Sequence, residues 1–179
     1  ADVIDEADNC TVAPTVTHIS DTPSAGTCPI TIDRIYEIED DCGNSIQVTQ
    51  VITVNDTQNP TASAPAPVAV QCMADVPVVN IADVIDEADN CTAAPIVTHI
   101  SDTPSAGACP ITIDRIYEIE DECGNTIQVT QVITVNDTQD PTASAPAPVS
   151  VQCMADVPAV NIADVIDEAD NCTVAPTVT

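Results

Sequence analysis

Oxygen-bearing side chains of this chain gather in short segments, a pattern that suggests cation binding. The candidate ligands are Asp56 and Asn59, then Asp86, Glu87, Asp89 and Asn90, then Asp121, Glu122 and Asn125. Ca²⁺ takes about six to eight oxygen ligands from carboxylates, amides and carbonyls. If the three segments lie at one end of a folded unit, they form a Ca²⁺ site at the junction with the preceding unit. No D-x-D-x-D-G loop of the EF-hand type is present.

The charge balance sharpens this expectation. The chain carries 29 acidic residues against two Lys and Arg together, for a formal net charge of −27. Crowded carboxylates repel one another unless something neutralises them, and Ca²⁺ can do so. The alternative is a solvated acidic surface that keeps a secreted protein soluble. Either way, this charge disfavours nucleic acids and anionic membranes as partners, and no apolar run approaches the roughly 20 residues of a spanning helix.

The chain is built from one repeated unit. The string ADVIDEADNCT begins at Ala1, Ala82 and Ala163, so the period is 81 residues, and residues 1–81 differ from residues 82–162 at eight positions. Near-identical tandem copies are typical of a stalk, adhesin or fibre rather than an enzyme. We place one complete domain at residues 60–140. A partial repeat at 1–59 lacks its N-terminal strands, and a partial repeat at 141–179 lacks its C-terminal strands.

Hydrophobic alternation predicts an all-β fold. Residues 30–38 and 46–54 alternate with period two and flank a Gly-Asn turn at 39–44, which indicates a β-hairpin. Residues 57–67 are rich in Pro and must be extended. Further strands are predicted at residues 15–19, 68–72 and 78–85. The size of the unit suits tandem Ig-like β-sandwich domains.

The motif string is similar to a known repeat family. CMADVP, DEADNC, GACPITIDRIYEIEDECGN and QVITVNDTQDPT resemble the HYR-like, immunoglobulin-type repeats of giant secreted bacterial surface proteins, notably of Bacteroidetes. The resemblance implies Ig-like sandwiches in long tandem arrays, associated with adhesion and cell-surface structures. The family's cysteine late in the last strand is absent, since Gln131 and Val132 occupy that region.

The nine cysteines indicate disulfides, because each unit holds an even number of them. The complete domain carries Cys72, Cys91, Cys109 and Cys123, which favours an oxidising compartment. A zinc site is the rival interpretation, although the paired C-x-x-C spacing is missing.

Sandwich topology favours one pairing over the two others. The predicted bonds are Cys72–Cys109 and Cys91–Cys123, with Cys10–Cys42 as the equivalent bond in the first repeat. Cys28, Cys153 and Cys172 would then find partners beyond this segment. A sequential alternative, Cys91–Cys109 with Cys123–Cys153, would link neighbouring units covalently.

Other polar positions suggest modification rather than catalysis. Asn55 and Asn90 match the N-x-[ST] acceptor pattern. The Thr/Ser/Pro-rich linkers offer candidate O-glycosylation sites at Thr61, Ser63, Thr142 and Ser144. No catalytic residue is predicted, because a paired-carboxylate glycosidase would need an aromatic-lined cleft. Arg34 and Arg115 are expected to be structural, in an ion pair or stacked on Tyr36 or Tyr117, and the two histidines to be ordinary surface groups.

Three functions remain open. The leading hypothesis is a structural segment of an extracellular or cell-surface fibre, whose partners are neighbouring repeats and other copies of itself, with Ca²⁺ bound and no membrane insertion. The second is the stalk of an adhesin that recognises glycans. The third is an accessory repeat of a large secreted enzyme.

Overall fold

The structure is a computed structural model that describes residues 3–10, 13–107, 109–173 and 176–179. Within these ranges the regular structure consists of β-strands and short 3₁₀ turns, which confirms the all-β prediction. No helix among the described residues has the length and apolar character needed to cross a membrane. The strands are β1 (Thr15–Pro23), β2 (Ile30–Glu39), β3 (Ser45–Val54), β4 (Thr61–Ser63), β5 (Val68–Val70), β6 (Ile85–Ala88), β7 (Ile96–Pro104), β8 (Ile111–Glu120), β9 (Thr126–Val135), β10 (Thr142–Ser144) and β11 (Ile166–Ala169).

Secondary structure follows the sequence repeat. The long strands β1, β2 and β3 recur 81 residues later as β7, β8 and β9 with unchanged lengths. The 3₁₀ turns Met73–Asp75 and Ile81–Asp83 recur as Met154–Asp156 and Ile162–Asp164. Local sequence therefore sets local conformation in both copies.

The first sheet contains the predicted hairpin. Strands β2 and β3 pair antiparallel from Ile30 opposite Val54 to Glu39 opposite Ser45, and β1 pairs with the other edge of β2. The connecting turn closes with a hydrogen bond from the Asp40 amide to the Asn44 carbonyl at 3.0 Å. Gly43 lies at φ +82°, where a side chain would be strained. The hairpin prediction is confirmed.

The second sheet has four strands in the order β5-β9-β8-β7. Strand β5 pairs parallel to β9, with Val68 opposite Ile133. Ile113, Ile133 and Val135 form a buried aliphatic cluster. The residues packed around it are Val68, Val70, Val76 and Ile111. Without aromatic residues in this cluster, its stability depends on close packing of branched aliphatic side chains.

The predicted strand at residues 78–85 is wrong. Residues Ile81–Asp83 form a 3₁₀ turn instead, because the Asn80 side chain accepts a hydrogen bond from the Ala82 amide and caps the turn. The strand begins only at Ile85, and β6 pairs with β4 inside the extended linker.

The described residues fall into two compact units. One takes its residues from 1–62, 86–97 and 119–127, and the other from 63–85, 98–118 and 128–179. Each unit therefore combines stretches that are distant in the sequence.

Arg115 forms the ion pair expected of a structural arginine. Its Nε and Nη2 donate to the two carboxylate oxygens of Asp102 at 2.9 and 2.8 Å. His99 Nε2 lies 3.0 Å from the same carboxylate, and its ring meets that of Tyr117 edge-on with centroids 5.9 Å apart. His99 is therefore part of this half-buried network, and not the ordinary surface group that was predicted.

Candidate metal centre

Three aspartates from separate segments converge in the first compact unit. Asp56 follows β3, Asp89 follows β6 and Asp121 follows β8. One carboxylate oxygen from each lies within 4.8 Å of the corresponding oxygens of the other two. Asp121 is buried, with 5% of its surface exposed. This spacing suits ligands that share one hard cation, since Ca²⁺–oxygen distances are about 2.3–2.6 Å.

Local hydrogen bonds orient each of the three carboxylates. Asp56 Oδ1 accepts from the Gln58 amide at 3.0 Å, and Asp89 Oδ2 accepts from the Cys91 and Thr92 amides at 2.8 Å each. Aspartate side chains that bond to backbone amides two or three residues ahead are typical of tight turns. The short turns after the strands therefore fix the positions of these two carboxylates.

Asp121 is the most extensively bonded of the three. Its Oδ1 accepts from the Cys123 and Asn125 amides at 2.8 Å each, and its Oδ2 accepts from Asn125 Nδ2 at 2.7 Å. The same Asn125 amide group lies 3.3 Å from the Asp56 carbonyl oxygen. The hairpin turn is thus tied directly to the linker that carries Asp56.

Two carboxylate oxygens of the cluster lack hydrogen-bond partners. Asp56 Oδ2 and Asp89 Oδ1 are buried atoms without a donor, although Asn90 Nδ2 donates to Asp56 Oδ1 at 3.2 Å. An ionised oxygen that is buried without a donor costs free energy. A bound cation would remove that cost for both oxygens at once.

The electrostatic environment keeps the cluster ionised. The Gln58 backbone donor, helped by Asn90, lowers the pKa of Asp56 against the opposing effects of burial and of Asp121. Burial pushes the pKa of Asp121 upward, but the bonds from Asn125 and from the Cys123 amide outweigh it and leave the pKa lowered. At neutral pH Asp56 and Asp121 therefore carry their negative charges close together, while Arg34 and Arg115 are both paired with aspartates elsewhere.

Only part of the predicted ligand set comes together. Asp56, Asp89 and Asp121 form the carboxylate group, and Asn90 and Asn125 bond to Asp56. Asn59 is exposed and lines a cleft beside Asp89 and Asn90. The predicted carboxylates that lie outside the group are Asp86, Glu87 and Glu122.

Thr92 is a residue of the site that sequence reasoning missed. It is buried, and its hydroxyl accepts a hydrogen bond from the Glu122 amide at 3.0 Å, which joins two of the ligand-bearing segments. The signal that could have found it is its place in the string DNCT, directly after the predicted ligands.

Two disulfides are present, and neither has the predicted partners. Cys28 bonds to Cys123 with Cα atoms 4.9 Å apart, and Cys72 bonds to Cys172 with Cα atoms 5.1 Å apart. The predictions Cys72–Cys109, Cys91–Cys123 and Cys10–Cys42 are therefore wrong, as is the sequential alternative. The main prediction assumed bonds within one sandwich domain and the alternative assumed bonds between consecutive cysteines, whereas the observed bonds span 95 and 100 residues, more than one 81-residue period. The two bonds indicate an oxidising compartment.

Several predicted glycosylation positions are engaged in hydrogen bonds. The hydroxyls of Thr61 and Thr142 donate to the carbonyls of Ala88 and Ala169 at 3.1 and 3.3 Å. The Asn90 amide, as described above, donates to Asp56. These contacts compete with a sugar at those atoms, while attachment at Asn55, Ser63 and Ser144 stays a prediction.

Comparison with known proteins finds no matching family model, no matching curated protein and no matching solved structure. The similarity to HYR-like repeats therefore rests on the motifs alone. The function has to be inferred from the repeat, the disulfides and the aspartate cluster.

Proposed function

We propose that this chain is a structural segment of an extracellular fibre or filament, built from tandem Ig-like β-sandwich repeats that are rigidified by disulfides and Ca²⁺. One observation carries the proposal: both disulfides are longer in sequence than the repeat itself. With the domain boundaries that the sequence predicts at residues 60 and 141, Cys28–Cys123 links the first repeat to the second and Cys72–Cys172 links the second to the third. Each bond lies inside one of the two compact units, so each unit is assembled from segments of different repeats. Bonds of this kind give an array covalent connections between domains besides the main chain.

Bound calcium would add to the rigidity that the disulfides give the array. Asp56 lies in the linker four residues before Pro60, whereas Asp89 and Asp121 lie in turns of the next predicted domain. A cation bound by all three would hold the linker against those turns and restrict bending there. Asn90 and Asn125 donate through their Nδ2 atoms to the carboxylate and the carbonyl of Asp56, so they hold Asp56 in position beside the other two aspartates. Extracellular sites of this kind bind Ca²⁺ with Kd of about 10⁻⁴–10⁻³ M.

The fibre is favoured over a glycan-binding adhesin by the aromatic side chains. Sugar-binding surfaces commonly rely on exposed aromatic rings, and ligand sites in general are enriched in them. The chain has two tyrosines, and Tyr117 is completely buried. The second copy of the repeat therefore offers no aromatic platform.

Electron microscopy of the assembled material tests the function. In millimolar Ca²⁺ we expect continuous filaments whose axial period corresponds to whole domains, and we expect EDTA to make them visibly more flexible. Separate particles or unassociated short rods in both conditions would contradict the fibre and point to a monomeric stalk.

A pair of matched variants tests the calcium part. Asp121→Asn removes a cluster carboxylate, whereas Asp40→Asn removes the equivalent aspartate of the first repeat. Asp40 makes the same turn bonds to Cys42 and Asn44, at 2.7–2.9 Å, but does not belong to the three-carboxylate group. Millimolar Ca²⁺ should raise the Tm of the wild type and of Asp40→Asn, but not that of Asp121→Asn. Equal responses of the two variants would rule out this site.

A further inference from the structure

Five cysteines remain unpaired, and all are exposed. They are Cys10, Cys42, Cys91, Cys109 and Cys153. Each occupies the same position in the repeat as a cysteine that does form a disulfide, one or two periods of 81 residues away. Cys109 and Cys153 correspond to the bonded Cys28 and Cys72. In the same way Cys42 corresponds to Cys123, while Cys10 and Cys91 correspond to Cys172.

The unpaired cysteines have the same surroundings as their bonded counterparts. Asn90 Nδ2 lies 2.9 Å from Cys91 Sγ, and Asn171 Nδ2 lies 3.0 Å from the bonded Cys172 Sγ. The amides of both cysteines donate to the preceding aspartate, at 2.8 and 3.0 Å. Cys91 therefore shares the asparagine contact and the backbone bond of its counterpart, and its thiol bonds to Asp56 where that counterpart has a disulfide partner.

Cys109 and Cys42 agree with their bonded counterparts in the same way. Cys109 Sγ lies 3.4 Å from Asn136 Oδ1, and the bonded Cys28 Sγ lies 3.7 Å from Asn55 Oδ1. The Cys42 amide donates to Asp40 at 2.9 Å, as the amide of the bonded Cys123 donates to Asp121 at 2.8 Å. What distinguishes Cys109 and Cys42 from Cys28 and Cys123 is thus the partner and not these local contacts.

The two observed bonds define a pairing rule that explains why the five other cysteines have no partner in this chain. A cysteine of the Cys28 type bonds to one of the Cys123 type 95 residues later, and one of the Cys72 type bonds to one of the Cys172 type 100 residues later. Applied to Cys10, Cys42 and Cys91, the rule requires a partner at a position before residue 1. Applied to Cys109 and Cys153, it requires a partner after residue 179.

We propose that the five unpaired thiols are bonding positions for further copies of this repeat, so that every domain of an array is joined to each neighbour by two disulfides. The thiols of both partners lose two protons and two electrons as the S–S bond forms. Oxidised glutathione, or another disulfide oxidant, accepts them and is reduced to two thiols. The inference rests on the proposed array and specifies how its domains are connected.

An added repeat tests the rule. A second copy of residues 82–162, inserted after Ile162, adds four cysteines and keeps the 81-residue register. The protein is folded with oxidised and reduced glutathione, alkylated without reduction and mapped by mass spectrometry. We expect the number of disulfides to rise from two to four while five thiols stay free. Cys109 should bond to the added copy of Cys123, Cys153 to Cys172, and Cys72 to the added copy of Cys91.

Other outcomes overturn the rule. Three free thiols would show that bonds close inside each domain, and nine would show that the added cysteines do not bond. Non-reducing electrophoresis separates the two sources of a partner, because bonds within one chain leave a monomer and bonds between chains give multimers. In the monomer and in the multimer alike, the proposal requires a Cys28-type cysteine to bond to a Cys123-type one, and a Cys72-type cysteine to bond to a Cys172-type one.

The unmodified chain gives a second readout that does not depend on folding of the longer one. It should contain five alkylatable thiols, and Cys28→Ser should raise that number to six by freeing Cys123 alone. Three thiols in the unmodified chain would contradict the proposal. Because thiol counting needs no filament, its failure is distinguishable from failure of the fibre hypothesis.

Discussion

Two sheets of almost the same sequence differ sharply in burial. In the second, Tyr117 and Ile133 are fully buried and Val135 is 6% exposed. In the first, the counterpart of Val135 is Val54, which is 49% exposed, and Ile46 is exposed as well. The strands themselves cannot be responsible, because β1, β2 and β3 match β7, β8 and β9 in length and nearly in sequence.

The segment before the second sheet makes the difference. Strand β5 adds to the edge of β9, the Ala66 carbonyl accepts from Gln131 Nε2 at 3.0 Å, and the Asn80 carbonyl accepts from the Tyr117 hydroxyl at 3.5 Å. The ion pair next to the tyrosine responds too, since the side chain of Arg115 is 4% exposed and that of its counterpart Arg34 is 32% exposed. A repeat thus needs residues of the 60–84 type to complete its core.

The segments that carry the aspartate cluster show the same contrast. Asp40 and Asp121 make matching turn bonds, but the aspartate that joins the second cluster is Asp56, from the linker. In the first repeat Asp8 and Asp40 line an open cleft together with Asn44. Completion of both the core and the three-aspartate cluster therefore depends on the preceding linker.

The largest expected effect comes from completing the first sheet. A second copy of residues 55–81 placed directly before Ala1 should cover it as residues 60–84 cover the second sheet. Burying one large aliphatic side chain contributes about 1.5–3 kcal/mol. Covering several such side chains of the first sheet should therefore raise the free energy of unfolding by about 2 kcal/mol for each of them. Chemical denaturation measures the gain. Ser replaces the copied Cys72 in this extension, so that a new disulfide to Cys91 cannot add to the gain. The same extension with Asp in place of its two β5 valines should give little or none; an equal gain would contradict the account.

Loss of a disulfide should be the next largest effect. Cys28→Ser opens a bond that spans 95 residues and should lower the free energy of unfolding by about 2–5 kcal/mol. Cys109→Ser alters the same repeat position but breaks no bond in this chain, and should be nearly neutral. Urea denaturation under non-reducing conditions compares the two, and similar losses would argue against the observed pairing.

The copy of residues 55–81 placed before Ala1 also tests whether the first repeat can form a calcium site like that proposed for the second. It supplies a copy of Asp56 for Asp8 and Asp40, so isothermal titration should detect one more Ca²⁺ per chain than in the unmodified protein. At ten times Kd each such site would stabilise the fold by about 1.4 kcal/mol. An extension that carries Asn in place of the copied Asp56 should leave the stoichiometry unchanged, and an unchanged stoichiometry with the intact extension would contradict the site.

The smallest expected effect is on the stability of the fold at acid pH. Arg115, chiefly through its hydrogen bonds, lowers the pKa of Asp102 from 3.8 to about 2. Because the folded pKa lies below the unfolded one, the contribution of Asp102 is present above pH 4 and is lost as the pH falls from about 4 to 2. The Tm of Asp102→Asn should therefore depend less on pH over this range than the Tm of the wild type. An unchanged dependence of Tm on pH would mean that the ion pair with Arg115 contributes nothing to stability.

Local structure was largely predictable from the sequence. Alternation at residues 30–38 and 46–54, with Gly43 between them, predicted the hairpin because period-two patterns and turn residues act over short distances. The three segments of the aspartate cluster were also identified, since carboxylates were crowded without cations. Asn80, as a cap that turns residues 81–83 into a 3₁₀ turn, shows where a short polar side chain overrode the hydrophobic pattern.

The disulfide partners could not be predicted, and the repeat itself is the reason. In nearly identical copies, a cysteine of one repeat and its counterpart 81 residues later have the same neighbours in sequence. No local pattern therefore distinguishes a bond to Cys123 from a bond to Cys42. Only the packing of distant segments, such as the 3.4 Å contact from the Thr27 hydroxyl to the Glu122 carbonyl beside the Cys28–Cys123 bond, decides between them.

The central claim is that disulfides join successive repeats and do not close within one. Peptide mapping of the unreduced protein by mass spectrometry tests it most directly. The account predicts two linked peptide pairs, Cys28 with Cys123 and Cys72 with Cys172. Linked peptides that contain Cys72 with Cys109, or Cys91 with Cys123, would contradict it.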